Sequence, residues 1–298
     1  MKTGQYIPMA VLIACLAAPL CAEGEAHPQK LSFQDDDLEG YELVWSDEFD
    51  LDGRPDPSKW TFENGFRRNG ELQWYQPENA FVEDGRLVIE ARRERKPNPS
   101  YESKDLPPEF RWRKTIEVTS ASVMTKGLHA WTYGRFEVRA KIKAEDGLWP
   151  AIWTLGVEGR WPANGEIDIM EYYQDSILAN FAWAANHPRQ AHWQARKVPL
   201  TTLTSATDWD EHFHTWVMEW EKDEITLWLD GQMLNRVDLN KVRNHPKADI
   251  PRPFDQPHYL LLNLAVGGTK GGSVQQTEFP SRYEIDYVRV YQRTGASS

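Results

Sequence analysis

Arg135-Phe-Glu-Val-Arg-Ala-Lys-Ile142 alternates from end to end. Phe136, Val138, Ala140 and Ile142 fall on one side of an extended chain, and Arg135, Glu137, Arg139 and Lys141 on the other. This is the period-two pattern of a strand with one face in a core. The same rhythm returns in Tyr283-Glu-Ile-Asp-Tyr-Val-Arg-Val-Tyr291 and in Trp216-Val-Met-Glu-Trp220. Ile225-Thr-Leu-Trp-Leu229 is joined to Gln232-Met-Leu-Asn-Arg-Val237 by Asp230-Gly231, a dipeptide suited to a two-residue hairpin turn. Long segments with helical period and internal repeats are absent. Short alternating strands divided by Gly, Pro and Asn predict an all-β chain, a sandwich of antiparallel sheets. Two stretches break the rhythm, Lys96 to Arg113 with its prolines and His187 to Asp210, and both read as long surface loops, either functional or bare insertions.

Composition narrows the function. Across 298 residues, 34 Lys and Arg stand against 45 Asp and Glu, a formal charge of −11, which argues against a nucleic-acid partner. With 40% hydrophobic and 27% charged residues the chain is rich enough in apolar side chains to fold. Its fourteen tryptophans, from Trp45 to Trp228, exceed the six methionines, and indoles carry an N–H that needs a partner when buried. Trp45, Trp216 and Trp220, each in an alternating strand, are read as core.

At the start, Met-Lys, an apolar run from Ile7 to Leu20, and Cys21-Ala22 before polar sequence have the layout of a secretory signal peptide, with cleavage expected after Ala22. Leu12-Ile13-Ala14-Cys15 also fits a lipoprotein cleavage box, which would anchor an exported protein through Cys15. The apolar run is too short to span a bilayer comfortably, and no other run approaches that length, so no transmembrane segment is expected. The organisation read from this is a leader over 1–22, a polar lead-in over 23–40, one domain over 41–293 and a tail over 294–298. Both cysteines fall in the leader, so packing and not disulfides must hold the domain, which reads as a monomer.

The chemistry is concentrated in Trp161-Pro-Ala-Asn-Gly-Glu166-Ile-Asp168-Ile-Met-Glu171-Tyr-Tyr173. On a strand, Glu166 and Asp168 share a face while Ile167 and Ile169 turn inward. Strict alternation would bury Glu171 in the core without a partner, so a one-residue bulge near Ile169-Met170 is predicted to return it to the acidic face. Clustered carboxylates raise one another's pKa values, which suits a retaining glycosidase with one acid ionised as nucleophile and one protonated as acid/base. Retention requires the two carboxyls about 5–5.5 Å apart, so the sheet must curve or the long side chains must lean together. A solvated acidic face or a calcium site would also account for acids alone. Trp149-Pro-Ala-Ile-Trp153 and Trp161 tip the reading, because flat rings beside acids suit a polysaccharide cleft.

With these motifs, together with Leu43-Val-Trp-Ser-Asp-Glu-Phe49, Asn69-Gly-Glu-Leu-Gln-Trp-Tyr75, Gly85-Arg-Leu-Val-Ile-Glu-Ala91, Tyr133-Gly-Arg-Phe-Glu-Val-Arg139 and Asp286-Tyr-Val-Arg-Val-Tyr291, the chain resembles glycoside hydrolase family 16, in its laminarinase-like endo-β-1,3(4)-glucanase branch. The resemblance covers roughly Tyr41 to Arg293. It implies a β-jelly roll of two curved antiparallel sheets with a concave substrate cleft. It assigns Glu166 as nucleophile, Asp168 as its assistant and Glu171 as acid/base, with Asn69, Arg135, Trp149, Trp153 and Trp161 contacting substrate. No cofactor is implied for catalysis. A structural calcium ion is implied on the convex side, held by main-chain carbonyls of Glu48 and Gly85 and by the Asp286 side chain. Where many laminarinases carry paired His-Gly units, this chain reads Ile177-Leu-Ala-Asn-Phe-Ala-Trp183-Ala, and Trp183 is expected to supply stacking in their place. His212 and His214 are read as structural or surface residues. The expected substrate is a β-1,3- or mixed-linkage β-1,3/1,4-glucan, with a galactan, as for an agarase, or a silent glucan-binding module as alternatives.

Overall fold

The computed structural model describes Met1 and residues 38–295, so the leader with Cys15 and Cys21, most of the lead-in and the last three residues of the tail lie outside the described residues. The described residues from Gly40 onward form one compact unit. Its two sheets meet the expectation of an antiparallel sandwich. The first has seven strands in the spatial order Gln190–Pro199, Ser176–His187, Glu166–Tyr173, Leu148–Gly156, His258–Val266, Ser122–Met124 and Thr61–Phe62. The second has ten strands, and its main path runs Gln232–Asp238, Glu224–Leu229, His214–Trp220, Gly134–Lys141, Ser281–Arg293, Arg86–Pro97, Thr115–Ser120 and Gln73–Tyr75. Tyr41–Asp47 joins this second sheet beside Ser281–Arg293, and Ala80–Glu83 joins it beside Arg86–Pro97. All pairings are antiparallel except that of Gln73–Tyr75 with Thr115–Ser120.

Alternation places the core as anticipated. Phe136, Val138, Ala140 and Ile142 are buried with Ile167, Ile169, Phe181, Leu260, Leu262 and Val288 between the sheets. Trp216 and Trp220 are buried there, and Trp45 packs against that core from its margin. The hairpin at Asp230-Gly231 has φ of 47° and 79°, the left-handed pair of a type I′ turn.

One expectation fails in the second irregular stretch. Gln190–Pro199 is a strand paired along Ser176–His187, followed by a single helical turn at Leu200–Leu203. It was illegible as a strand because it lies at the sheet edge with no residue fully buried, so no apolar period marks it. The first stretch is a loop after Pro97, anchored on a small apolar cluster of Phe66, Leu106, Phe110 and Ile116. Arg113 ties that loop inward, its guanidinium lying over the rings of Phe66 and Phe110 and donating to the main-chain oxygens of Glu71 and Gly70.

Candidate active site

The strand Glu166–Tyr173 starts from Gly165 at φ +80°, where a Cβ would lie 2.9 Å from Pro253 and meet Phe254, so only glycine leads into it without strain. Pairing shifts register between Asp168 and Glu171 on one neighbour and between Asp168 and Met170 on the other, the bulge inferred from the sequence. Ile167, Ile169 and Met170 go to the core, and Glu166, Asp168 and Glu171 face away from it. On the flanking strand, Trp149, Ala151 and Trp153 share this outer face while Ile152 points inward.

Neutral donors hold the acids. The Trp161 indole donates to Glu166 at 2.5 Å and the Trp149 indole to Glu171 at 2.8 Å. Asn180, opposite Asp168 on the next strand, donates to Asp168 at 3.1 Å and to Glu171 at 2.9 Å. Desolvation pushes all three carboxyls upward. Asp168, 2% exposed, is driven furthest, first by burial and then by the charges of Glu171 and Glu166. Burial moves Glu171 up to about 7, against the pull of the Trp149 hydrogen bond and with the push of Glu166. Glu166 is raised by burial but eased back by the indole of Trp161, by hydrogen bonding with Asp168 and by the positive charge of Arg68. A strand with three acids therefore keeps protons near neutral pH and distributes them unequally, the condition for one carboxylate to attack while another donates.

Of the sequence-predicted contacts, Asn69, Trp149 and Trp153 line the depression over the acids, and Trp161 stands at its rim, 51% exposed. Asn69 donates to Glu71 at 3.1 Å, and the Trp153 indole to Asn263 at 2.7 Å. Two predictions are corrected. Arg135 lies on the other sheet, where it is 3% exposed and bonded to Glu219 at 2.6 Å and Glu137 at 3.3 Å. Alternation had put it on the polar face of its strand, and that is the outer face of the ten-stranded sheet, with the whole sandwich between it and the acids. Trp183 is turned into the core against Phe254, because Asn180 and Ala182 take the outward positions of its strand and residue 183 alternates inward.

Several lining residues escaped the sequence reading. Arg68 lies 5.1 Å from the centroid of the Trp153 ring and pairs with Glu63. Glu71, Asn180 and Asn263 complete the polar lining. Only Asn180 had a usable signal, a polar residue at an outward position beside the acid strand.

The resemblance's calcium residues are on the ten-stranded sheet side. The Glu48 carboxylate accepts from Nε and Nη2 of Arg289, both at 2.9 Å, so the main-chain carbonyl is the Glu48 oxygen that a cation would use. Asp286 gives one oxygen to Arg139 at 2.6 Å, and Gly85 sits in a tight turn at φ +69°. Among the described residues no group of three or more His, Cys, Asp and Glu could hold a metal, so a cation here would rely on main-chain oxygens, donors of the hard type calcium prefers. His214 stacks on Trp209 and meets Asp230 at 2.6 Å, while His212 meets Asp208 at 3.2 Å.

Comparison with known proteins gives this geometry a family. The model described as glycosyl hydrolases family 16 matches residues 73–289. A beta-glucanase of Rhodothermus marinus is 39% identical over 266 residues, covering 84% of this chain and 85% of its own. The laminarinase catalytic domain of Thermotoga maritima is 36% identical with a TM-score of 0.70, covering 85% of this chain and 99% of that one, and its β-jelly roll is the fold seen here. A solved chain described among the endo-acting O-glycanases that human gut microbes express to initiate mucin breakdown is also 36% identical, with a TM-score of 0.76 over 86% of this chain and 92% of its own. Matched over most of its length and similar along nearly all of a solved catalytic domain, this chain belongs to glycosyl hydrolase family 16.

Proposed function

We propose that the protein is an endo-acting hydrolase of β-1,3- or mixed-linkage β-1,3/1,4-glucan that works with retention at the anomeric carbon. The observation that carries the reading is three carboxyls on the outer face of one bulged strand, with Trp161 donating to Glu166 and with Trp149 and Asn180 donating to Glu171. Burial raises all three and holds Glu171 up to about 7, while Trp161, Asp168 and Arg68 offset part of the rise at Glu166. In the first step a Glu166 oxygen bonds to the anomeric carbon as the glycosidic C–O bond breaks, and the leaving oxygen takes the Glu171 proton. In the second, Glu171 removes a proton from water, the water oxygen bonds to the anomeric carbon and Glu166 is released. Asp168, protonated and hydrogen-bonded toward Glu166, steadies the nucleophile and relieves the charge between the two glutamates. Asn180 bridges Asp168 to Glu171 and sets the acid's orientation.

The test is hydrolysis of laminarin, barley β-glucan and agarose, with proton NMR of the first anomer formed. Cleavage of the glucans to a β-configured product is expected, and an α product would overturn the roles of Glu166 and Glu171. A second substrate reading, a mucin O-glycan, is favoured by the similarity to the chain described among the mucin-initiating O-glycanases, and desialylated mucin glycans added to the same panel decide it.

Two further parts of the reading concern the chain outside the cleft. The N-terminal segment is proposed to be an export leader cleaved after Ala22, or at Cys15 with lipidation, which intact mass of the processed protein distinguishes. A calcium ion at Glu48, Gly85 and Asp286 is proposed to brace strand ends without entering catalysis. Adding a chelator should then lower the unfolding midpoint by a few degrees and leave turnover at 25 °C unchanged.

A further inference from the structure

We propose that Trp193 is a sugar-stacking platform on the sheet-edge side of the cleft, extending the substrate site past the acids in the direction away from Trp149 and Trp153. This deepens the glucanase reading and rests on it. The argument is one of register. Residues directly opposite each other on neighbouring strands project to the same face. Glu166 stands opposite Ala182, and Ala182 stands opposite Trp193. One row therefore runs Glu166, Ala182, Trp193 across the outer face of the seven-stranded sheet. Asn180, two residues from Ala182, identifies the face independently through its bonds to Asp168 and Glu171. Two strand spacings, about 9.5 Å, separate the main chains of Glu166 and Trp193, a span that a short oligosaccharide bridges.

What lies between favours passage. Within these rows the side chain between Trp193 and Glu166 is the methyl of Ala182, and Ala195 follows Trp193 on the same face opposite Asn180. Trp193 is 45% exposed on the edge strand, an indole left uncovered where the fold could have buried it or done without it. On the opposite side of the acids the cleft already has Trp153, Asn69 and Arg68. Trp193 supplies the missing counterpart, so a glucan chain crossing the strands meets a ring on each side of the cleavage point. Trp112, 71% exposed on the proline-rich loop and outside this row, is the internal control.

The experiment measures kcat/KM of wild type, Trp193→Ala, Trp193→Phe and Trp112→Ala on laminari-oligosaccharides of increasing length and on a short aryl β-laminaribioside. For Trp193→Ala the longest chains should lose about five- to tenfold, the range a single aromatic contact supplies, while the short substrate changes by less than about twofold. Trp193→Phe should recover most of the loss, and Trp112→Ala should show none. Equal losses on long and short substrates, or no loss on long ones, would overturn the proposal. An unchanged unfolding midpoint excludes damage to the fold as the cause. If wild type cleaves no glucan of any length, the glucanase reading itself fails, an outcome distinct from the loss of length dependence.

Discussion

On the outer face of the ten-stranded sheet, the buried and half-buried acids meet guanidinium groups: Glu137 and Glu219 at Arg135, Asp286 at Arg139, Glu48 at Arg289. On the outer face of the seven-stranded sheet, Glu166, Asp168 and Glu171 are held by indoles and an amide instead, and Arg68 nearby is itself paired with Glu63. Both faces take carboxylates out of water. The first neutralises them with opposite charge and is chemically quiet. The second leaves like charges together, so burial and mutual repulsion keep protons on groups that would otherwise have lost them, and a proton whose pKa lies near the working pH is one that can be given up and regained.

Removing the nucleophile should break the contrast most sharply. Glu166→Gln is expected to lower glucan turnover by at least about a thousandfold with the fold intact, read by reducing-end release. Next is Glu171→Gln, expected to lose about 10²–10⁴ in kcat on polysaccharide and much less on an aryl glycoside whose leaving group needs no proton. On the opposite sheet, Arg135→Met leaves Glu137 buried beside a lost partner and should cost about 3 kcal/mol of stability by denaturant unfolding, with kcat per folded molecule unchanged.

The smallest effect is in pH dependence. The folded value of Glu171, about 7, lies above the ordinary 4.5, so the folded state keeps a proton that the unfolded chain releases across that window. Stability from this group is present below the window and is lost as pH rises through it. Glu171→Gln should therefore flatten the fall in stability between pH 5 and 8, by on the order of 1–2 kcal/mol, when unfolding is followed at both ends. For activity the same proton sets the alkaline limb of kcat/KM near pH 7, and ionisation of Glu166 sets the acid limb.

How far each feature could be read in advance depends on how local it is. The acid strand, its bulge and the inward turn of Ile167 and Ile169 follow from spacing within eight residues, because strand geometry relates neighbours without reference to the rest of the chain. The error over Arg135 came with the family resemblance, and alternation could not catch it, because it separates two faces but does not say which outer face borders the site. Trp183 needed only parity against Asn180, yet parity becomes useful once the register of its strand is known. The strand Gln190–Pro199 had no apolar period to announce it, since an edge strand exposed on both faces is held by main-chain pairing and not by burial. Arg68 and Asn263 were single polar residues with no spacing relation to the acids and became part of the site through folding alone.

By itself, then, the sequence determined an all-β sandwich and a strand carrying three carboxylates on one face, because both are consequences of side-chain period and the cost of burying a lone acid. The tertiary structure decided the rest. It chose which outer face is the cleft, and it placed Asn180 between Asp168 and Glu171. It set Arg68 beside Trp153 and aligned Trp193 with Glu166 through two strand pairings. Those are relations between residues far apart in the chain, and only the register of paired strands converts them into distances short enough for a hydrogen bond, a proton transfer or a stacked ring.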